Sequence, residues 1–169
     1  GGSTSQTPDG PRYPPGVAPG LASDDRDALL VGFERLPDFD APLAADHLAA
    51  AGVPFGVRGV TLRFPVDLRN DPAATRYAHL LDRDEADVRA ALASAVDAHR
   101  DGEPRVGLPA VLGEDDHEAV RRDLSAHLGA DVFEVPTGPP SLPGLRLAAR
   151  LDAALSAAGV AVERGNPVV

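Results

Sequence analysis

The residues best suited to chemistry lie in one short stretch, residues 134–151, which reads EVPTGPPSLPGLRLAARL. Ser141 fits the N-cap of a helix, and Pro143 fits the first turn, where backbone N–H groups have no partner inside the helix. Gly144 removes a side chain at this point, and Arg146 follows one turn in. A helix N-terminus with small residues and a nearby arginine suits a phosphate group. A stiff strand-to-helix connection, with its arginine paired to a surface acid, explains the same residues and is the interpretation that the pattern alone favours.

A second polar stretch, GEDDHE at residues 113–118, raises the question of a metal site. Neighbouring side chains on a helix point about 100° apart, so one histidine among adjacent acids does not form a convergent set of ligands. Acidic residues in the first turn are stabilised by the helix dipole. We therefore predict a helix start here and no metal site. The five histidines of the chain are scattered, and we expect most of them on helix faces or at helix ends.

Arg69 and Asn70 form a weaker candidate site. They lie with Arg76 and Tyr77 around a predicted helix start in the stretch LRNDPAATRYAHLLD, residues 68–82. These side chains would line a cleft or contact a partner subunit, but a helix with solvated arginines, capped by Asp71 and with Pro72 in its first turn, is the simpler interpretation. The sequence contains no GxGxxG, P-loop or GxSxG motif to identify a nucleotide site or a nucleophile.

The elements that must position these residues alternate between strand and helix. The chain has 169 residues, enough for one ordinary domain with a real core. The predicted order is β-α-β-α-α-β-α-β-α-β, with strands at 28–33, 59–66, 131–136 and 160–165 and, within 105–113, a strand that leads into a loop. That alternation predicts an α/β fold of three layers, in which a mostly parallel sheet is covered by helices on both faces. The strand order within the sheet stays open. The first helix is predicted to begin with Asp40 as its N-cap and Pro42 in its first turn.

The chain divides into three predicted parts. Residues 1–27 are rich in glycine and proline and are expected to form a loop or linker. Residues 28–158 form the α/β domain, and residues 159–169 add a last strand. The final helix, predicted over 141–158, is expected to turn Leu147, Leu151 and Leu155 towards the core because they repeat at helical spacing.

Composition narrows the classes of function. All 16 basic residues are arginine, 26 residues are acidic, and the net charge is −10. An acidic surface that stays hydrated suits a salt-rich cytoplasm and predicts a haloarchaeal or similar source, and it argues against nucleic-acid binding. The absence of cysteine excludes disulfides, thiol catalysis and cysteine-ligated metals from this chain. No apolar run approaches the roughly 18 residues of a membrane-spanning helix.

Three segments of the chain carry a resemblance to a known family. Residues 135–168 contain Val-Pro-Thr, Pro-Pro-Ser and Gly-Leu-Arg-Leu before a helix. Residues 29–52 contain a Val-Gly-Phe strand with an alanine-rich helix after it, and residues 67–85 contain an Arg-Asn segment that ends in an acidic helix break. In pattern and order these segments resemble the B subunit of anaerobic glycerol-3-phosphate dehydrogenase, and the acidic, lysine-free composition fits a haloarchaeal member.

The resemblance implies a halophilic, archaeal flavoprotein subunit that uses FMN or FAD. The parent enzyme would oxidise sn-glycerol 3-phosphate to dihydroxyacetone phosphate and pass electrons to quinone. It would work with an A subunit and a membrane-anchoring C subunit, and would be cytoplasmic, peripheral at the inner face of the cell membrane. The family's glycine-rich flavin-binding unit is missing from this chain, so the resemblance implies a Rossmann-like insert domain from the middle of the polypeptide. Such a fragment alone would bind no flavin and be inactive.

The resemblance also points to particular residues as candidates for contact with flavin or substrate. It implies that Thr137, Ser141, Gly144 and Arg146 face flavin or substrate, with Arg69 and Asn70 as a weaker second set. No residue is a convincing general acid or base. Two other functions stay open: a non-catalytic module that assembles the A and C subunits, and a stand-alone α/β domain that binds a small ligand.

Overall fold

A computed structural model describes residues 24–68, 72–85, 87–138 and 141–162. In chain order the elements are β1 (Ala28–Phe33), α1 (Ala41–Ala50), β2 (Val57–Leu62), α2 (Ala74–Arg83), α3 (Val88–Asp97), β3 (Arg105–Pro109), α4 (His117–Leu128), β4 (Asp131–Val135) and α5 (Leu142–Ala157). This order matches the predicted alternation through the last helix. Within the described ranges no helix is long and apolar enough to cross a membrane.

The four strands form one parallel sheet in the order β2-β1-β3-β4. Val31 of β1 lies opposite Val60 of β2, and Val106 of β3 lies opposite Val132 of β4. The chain first moves outwards from β1 to β2 and then crosses back to β3 on the other side of β1. The predicted α/β fold with a parallel sheet is confirmed.

Helices cover both faces of this sheet, as predicted, but unequally. Leu29, Val31 and Phe33 point into the larger core, which α2, α3 and α4 complete. Ala28 and Leu30 point to the opposite face and pack with residues of α1. Every residue of β1 is buried, as expected for a central parallel strand with helices on both sides.

Close packing of α1 on β2 depends on one glycine. A Cβ atom added to Gly59 would overlap the backbone carbonyl of Ala41, so only glycine lets the start of the helix approach the strand this closely. The helix itself begins as predicted, because the Asp40 side chain accepts a hydrogen bond from the backbone N–H of Leu43 at 3.0 Å.

Some predicted boundaries are wrong. The second strand runs from Val57 to Leu62 rather than over 59–66, although Phe64 beyond its end is still buried in the larger core. Helix α2 has Ala73 as its N-cap, without a side-chain cap, so the predicted first-turn role of Pro72 is wrong. Asp71, the predicted cap, lies outside the described residues.

The largest correction concerns α5. Leu147 and Leu151, predicted to face the core, are 65% and 56% exposed, and Leu155 is half-buried. Helical periodicity identifies a common face but not what covers it. Residues 159–162 of the last predicted strand form a turn and irregular chain, and residues 163–169 lie outside the described residues.

Candidate functional site

The carboxyl edge of the sheet is the candidate site. Because all four strands are parallel, their carboxyl ends meet at one edge. In open α/β sheets ligands bind outside this edge, at the point where the strand order reverses. Here that point lies between β1 and β3. The loop after β3, the end of β4 and the first turn of α5 meet at this edge.

Arg146 of α5 and Glu134 of β4 form a buried ion pair at this edge. The Nη1 atom of Arg146 donates to Oε2 of Glu134 at 2.6 Å, and Nη2 donates to Oε1 at 2.8 Å. The two side chains are 2% and 6% exposed. This two-pronged geometry is the strong form of the arginine–carboxylate contact, and burial removes most of its screening by salt.

The pair also holds the loop after β3. The Nε atom of Arg146 donates to the backbone carbonyl of Gly113 at 2.7 Å, and the backbone N–H of Leu112 donates to Oε1 of Glu134 at 2.9 Å. We call Arg146, Glu134, Leu112 and Gly113 the arginine clamp. It ties α5, β4 and the β3–α4 loop into one unit at the edge where a ligand would bind.

A second carboxylate, Asp82 of α2, fixes the other end of the same loop. It accepts hydrogen bonds from the backbone N–H groups of Glu114 at 2.8 Å, Asp115 at 3.1 Å and Asp116 at 3.3 Å. Gly113 has φ +104°, which favours glycine, and an added Cβ would overlap the Asp82 carboxylate. The N–H groups ahead of α4 therefore bind a protein carboxylate rather than offering themselves to an anion.

The stretch GEDDHE begins a helix, as predicted. Asp116 is the N-cap of α4 and accepts from the backbone N–H of Ala119 at 3.2 Å. Within the described ranges no group of three or more histidine, cysteine, aspartate or glutamate side chains could hold a metal ion.

His117, at the start of α4, is buried, which the sequence did not indicate. Its Nε2 atom has no hydrogen-bond partner among the described residues and lies 3.7 Å from Oε1 of Glu118. Burial, reinforced by the positive charge of Arg146, lowers the pKa of His117. The neutral imidazole is therefore the form that this environment favours.

The four predicted residues around α5 are placed differently from one another. Ser141 caps the helix by accepting from the backbone N–H of Gly144 at 3.2 Å, as predicted. Gly144 is exposed and Thr137 is half-buried. Arg146 turns inwards to the clamp and offers a ligand almost no surface. Their contact with flavin or substrate stays a prediction.

Arg69 and Asn70, the weaker set, lie outside the described residues. Among the described residues, a small cavity of about 20 Å³ lies at the carboxyl ends of β1 and β2. Its lining includes Glu34, Arg63 and Asp67, and Arg63 pairs with Asp67 at 3.3 Å. At about 20 Å³ the cavity has room for water-sized molecules and is far smaller than the roughly 300–1,000 Å³ typical of ligand pockets.

The described residues do not fit the pyrophosphate of a dinucleotide flavin. In dinucleotide-binding folds the turn between the first strand and helix is rich in glycine, so that the backbone can approach the phosphates. The corresponding connection here, residues 34–40, reads ERLPDFD, with three acids and no glycine. Negative side chains would repel phosphates, and the described edge offers no other glycine-rich cradle.

Comparisons with known proteins support the resemblance seen in the sequence. The profile of a family described as FAD binding domain matches residues 2–166. The B subunit of a probable anaerobic glycerol-3-phosphate dehydrogenase of Halobacterium salinarum is 62% identical over 94% of this chain and 39% of the relative. The B subunit of the anaerobic glycerol-3-phosphate dehydrogenase of Pectobacterium atrosepticum is 35% identical over 91% of this chain and 37% of the relative. The predicted resemblance is confirmed, and the chain spans about two fifths of these relatives' length.

Proposed function

The chain belongs to the FAD binding domain family, and we propose that it forms part of a subunit of a flavin-dependent dehydrogenase. The reaction would oxidise sn-glycerol 3-phosphate to dihydroxyacetone phosphate and pass the electrons to quinone. The observation that carries this proposal is the 62% identity, over 94% of the chain, to a protein named as the B subunit of that dehydrogenase. The relatives' names supply the substrate, and their being subunits supplies the expectation of partners.

The flavin, FMN or FAD, would be held mostly by polypeptide that the relatives carry beyond the matched segment. The acidic, glycine-free turn after β1 supports this division, since it suits neither phosphate nor close backbone approach. The 169-residue chain alone would then bind no flavin and be inactive. The A and C subunits would complete the enzyme and hold it at the inner face of the cell membrane.

The contribution of this chain would be to shape one wall of the site. The arginine clamp holds the β3–α4 loop and the start of α5 in fixed positions. Thr137, Ser141 and Gly144 lie beside the clamp and would face flavin or substrate, with Arg146 as a positioning residue behind them. Arg69 and Asn70 would be a second, weaker contact.

Reconstitution tests the proposed reaction. A subunit of the relatives' length, carrying this segment and combined with its partner subunits, should purify with flavin and reduce a quinone analogue only when sn-glycerol 3-phosphate is added. The matched control is the 169-residue chain, which should show neither flavin absorbance nor turnover. Failure of the assembled complex to bind flavin or to respond to sn-glycerol 3-phosphate would contradict the proposal. Saturable binding of sn-glycerol 3-phosphate to the chain alone would favour a stand-alone ligand-binding domain instead.

A non-catalytic assembly module is the second candidate, and the burial of Arg146 favours it. A side chain 2% exposed and bound to Glu134 is used inside the protein. Replacing the pair by Glu134→Leu with Arg146→Met removes both charges at similar side-chain volume, a change that buried pairs often tolerate. It also removes the partners of the Leu112 N–H and the Gly113 carbonyl, so assembly and flavin content are measured beside turnover. Unchanged turnover in the assembled complex would support the assembly module. Lost turnover in a complex that still assembles and holds flavin would oppose it.

A further inference from the structure

Helix α5 leaves the domain after its first turn. Within the described ranges its buried residues are Leu142 and Arg146 alone. At 3.6 residues per turn, Leu147, Leu151 and Leu155 share the opposite side of the helix. We call these three leucines, with the neighbouring Ala154 and the C-cap residue Ala158, the leucine face.

The leucine face is unlike the rest of the described surface. Six large hydrophobic residues are exposed in the described ranges: Leu147 and Leu151 belong to the leucine face, Leu145, Val160 and Val162 lie near it in the chain, and Leu43 lies on α1. The exposed leucines contrast with the composition of the chain, which is acidic and carries a net charge of −10. Exposed apolar patches of this kind mark contact surfaces, and a helix of this length depends on packing for most of its stability.

We propose that the leucine face packs against further polypeptide of the same subunit, the part that relatives carry beyond the matched segment. This inference rests on the proposed function, because it assumes a subunit of the relatives' length. The relatives show that such polypeptide exists to cover the leucine face, because the 167 matched residues are only 39% of the Halobacterium protein. The partner surface would be an aliphatic groove without charge at its centre, since Arg150 and Asp152 flank the leucines rather than interrupt them.

A contact within one polypeptide suits the size of the face better than a contact between separate chains. Stable interfaces between proteins use about 20–30 residues on each side, whereas the leucine face has three leucines and two alanines. Packing within a single chain avoids the loss of translational and rotational freedom that association costs. The short face is adequate only when its partner is already tethered nearby.

Helix α5 would then make contacts on two opposite sides. One side is fixed to the candidate site through the arginine clamp, and the other carries the leucine face. Docking would therefore fix Ser141 and Gly144 relative to the rest of the subunit. The predicted contact lies on the leucine side of α5 and is distinct from the expected role of the residues at its first turn.

Hydroxyl-radical footprinting tests the contact without needing flavin or turnover. Leu147 and Leu151 should oxidise readily in the 169-residue chain. In the monomeric subunit of relatives' length they should lose most of this reactivity, because side chains in the core of an interface are packed as densely as a protein interior. Leu43, exposed on α1, supplies the reference rate in both samples. The experiment uses apoprotein and measures no turnover. If the proposed reaction proves wrong, the footprint still shows whether the leucine face is covered.

Each alternative occupant gives a different result. Equal oxidation of Leu151 in the chain and the monomeric subunit would overturn the proposal. So would protection that appears only when partner subunits are added, or only as the 169-residue chain dimerises with rising concentration. As a second measurement, Leu151→Asp should lower the subunit's melting temperature and leave that of the isolated chain unchanged. Ala153→Asp, an exposed position on the other side of α5, should leave both unchanged.

Discussion

Arg146 and Arg150 are the same residue type, one turn apart on the same helix, and the fold uses them in opposite ways. Arg146 is buried and donates three hydrogen bonds to Glu134 and Gly113. Arg150 is exposed. The difference comes from the neighbouring chain, because β4 places a carboxylate within reach of the first position, whereas the second faces solvent. An arginine after a helix N-terminus therefore indicates an anion site only after the protein's own carboxylates are accounted for.

The largest effect should separate these two arginines. Arg146→Ala leaves Glu134 buried without its arginine, which typically costs about 3–5 kcal/mol of folding free energy. Arg150→Ala, the matched control, should change the free energy of unfolding by less than about 0.5 kcal/mol, as for most surface substitutions. Urea unfolding of the 169-residue chain and both variants, at one fixed salt concentration, measures the difference. If both variants lost a similar free energy of unfolding, the buried contacts of Arg146 would contribute no more to stability than the exposed Arg150 does, which would contradict the arginine clamp.

Asp82 should give the next largest effect, because it shares the task of holding the β3–α4 loop. Asp82→Ala leaves three backbone N–H groups without their acceptor and should cost about 1–3 kcal/mol. Asp46→Ala on the exposed side of α1 is the control and should be nearly neutral. Hydrogen exchange at residues 114–116 should speed up in the first variant only. Unchanged exchange there would show that the Asp82 contacts are dispensable.

His117 should give the smallest effect, and pH reveals it. Burial and Arg146 lower the pKa of His117 in the folded state, so the unfolded chain takes up this proton first as pH falls. The contribution of the neutral His117 to the free energy of unfolding is therefore fully present above the pKa of this residue in the unfolded chain, about 6.5. It is lost as pH falls below that value towards the pKa in the folded state. His117→Gln should flatten the fall in stability with pH over this interval. Identical slopes for wild type and His117→Gln would contradict the assigned environment.

The sequence predicted the scaffold well because its signals are local. The β1 run ALLVGF has the apolar continuity of a strand covered on both faces, and its predicted limits match those observed. Asp40 and Ser141 cap helices as predicted, because a cap is set by residues three positions apart, and Asp116 within the predicted acidic helix start caps α4.

What the sequence did not reveal depends on residues far apart in the chain. The contacts of Glu134 with Leu112 and of Asp82 with Glu114 join residues 22 and 32 positions apart. One signal was available: Glu134 alternates with the buried Val132 in β4, so it points inwards and requires a cationic partner. Periodicity likewise placed Leu147 and Leu151 on one face, but it could not say that this face lies outside the core.

A double-mutant cycle tests most directly the claim that Arg146 acts inside the chain through Glu134. The variants are Glu134→Leu, Arg146→Met and the two combined, each measured by urea unfolding. Either single change leaves a buried charge alone, so the double variant should be more stable than the summed losses predict, by about 2 kcal/mol or more. If the two losses simply add, the two side chains act independently and the arginine clamp is not the unit described above.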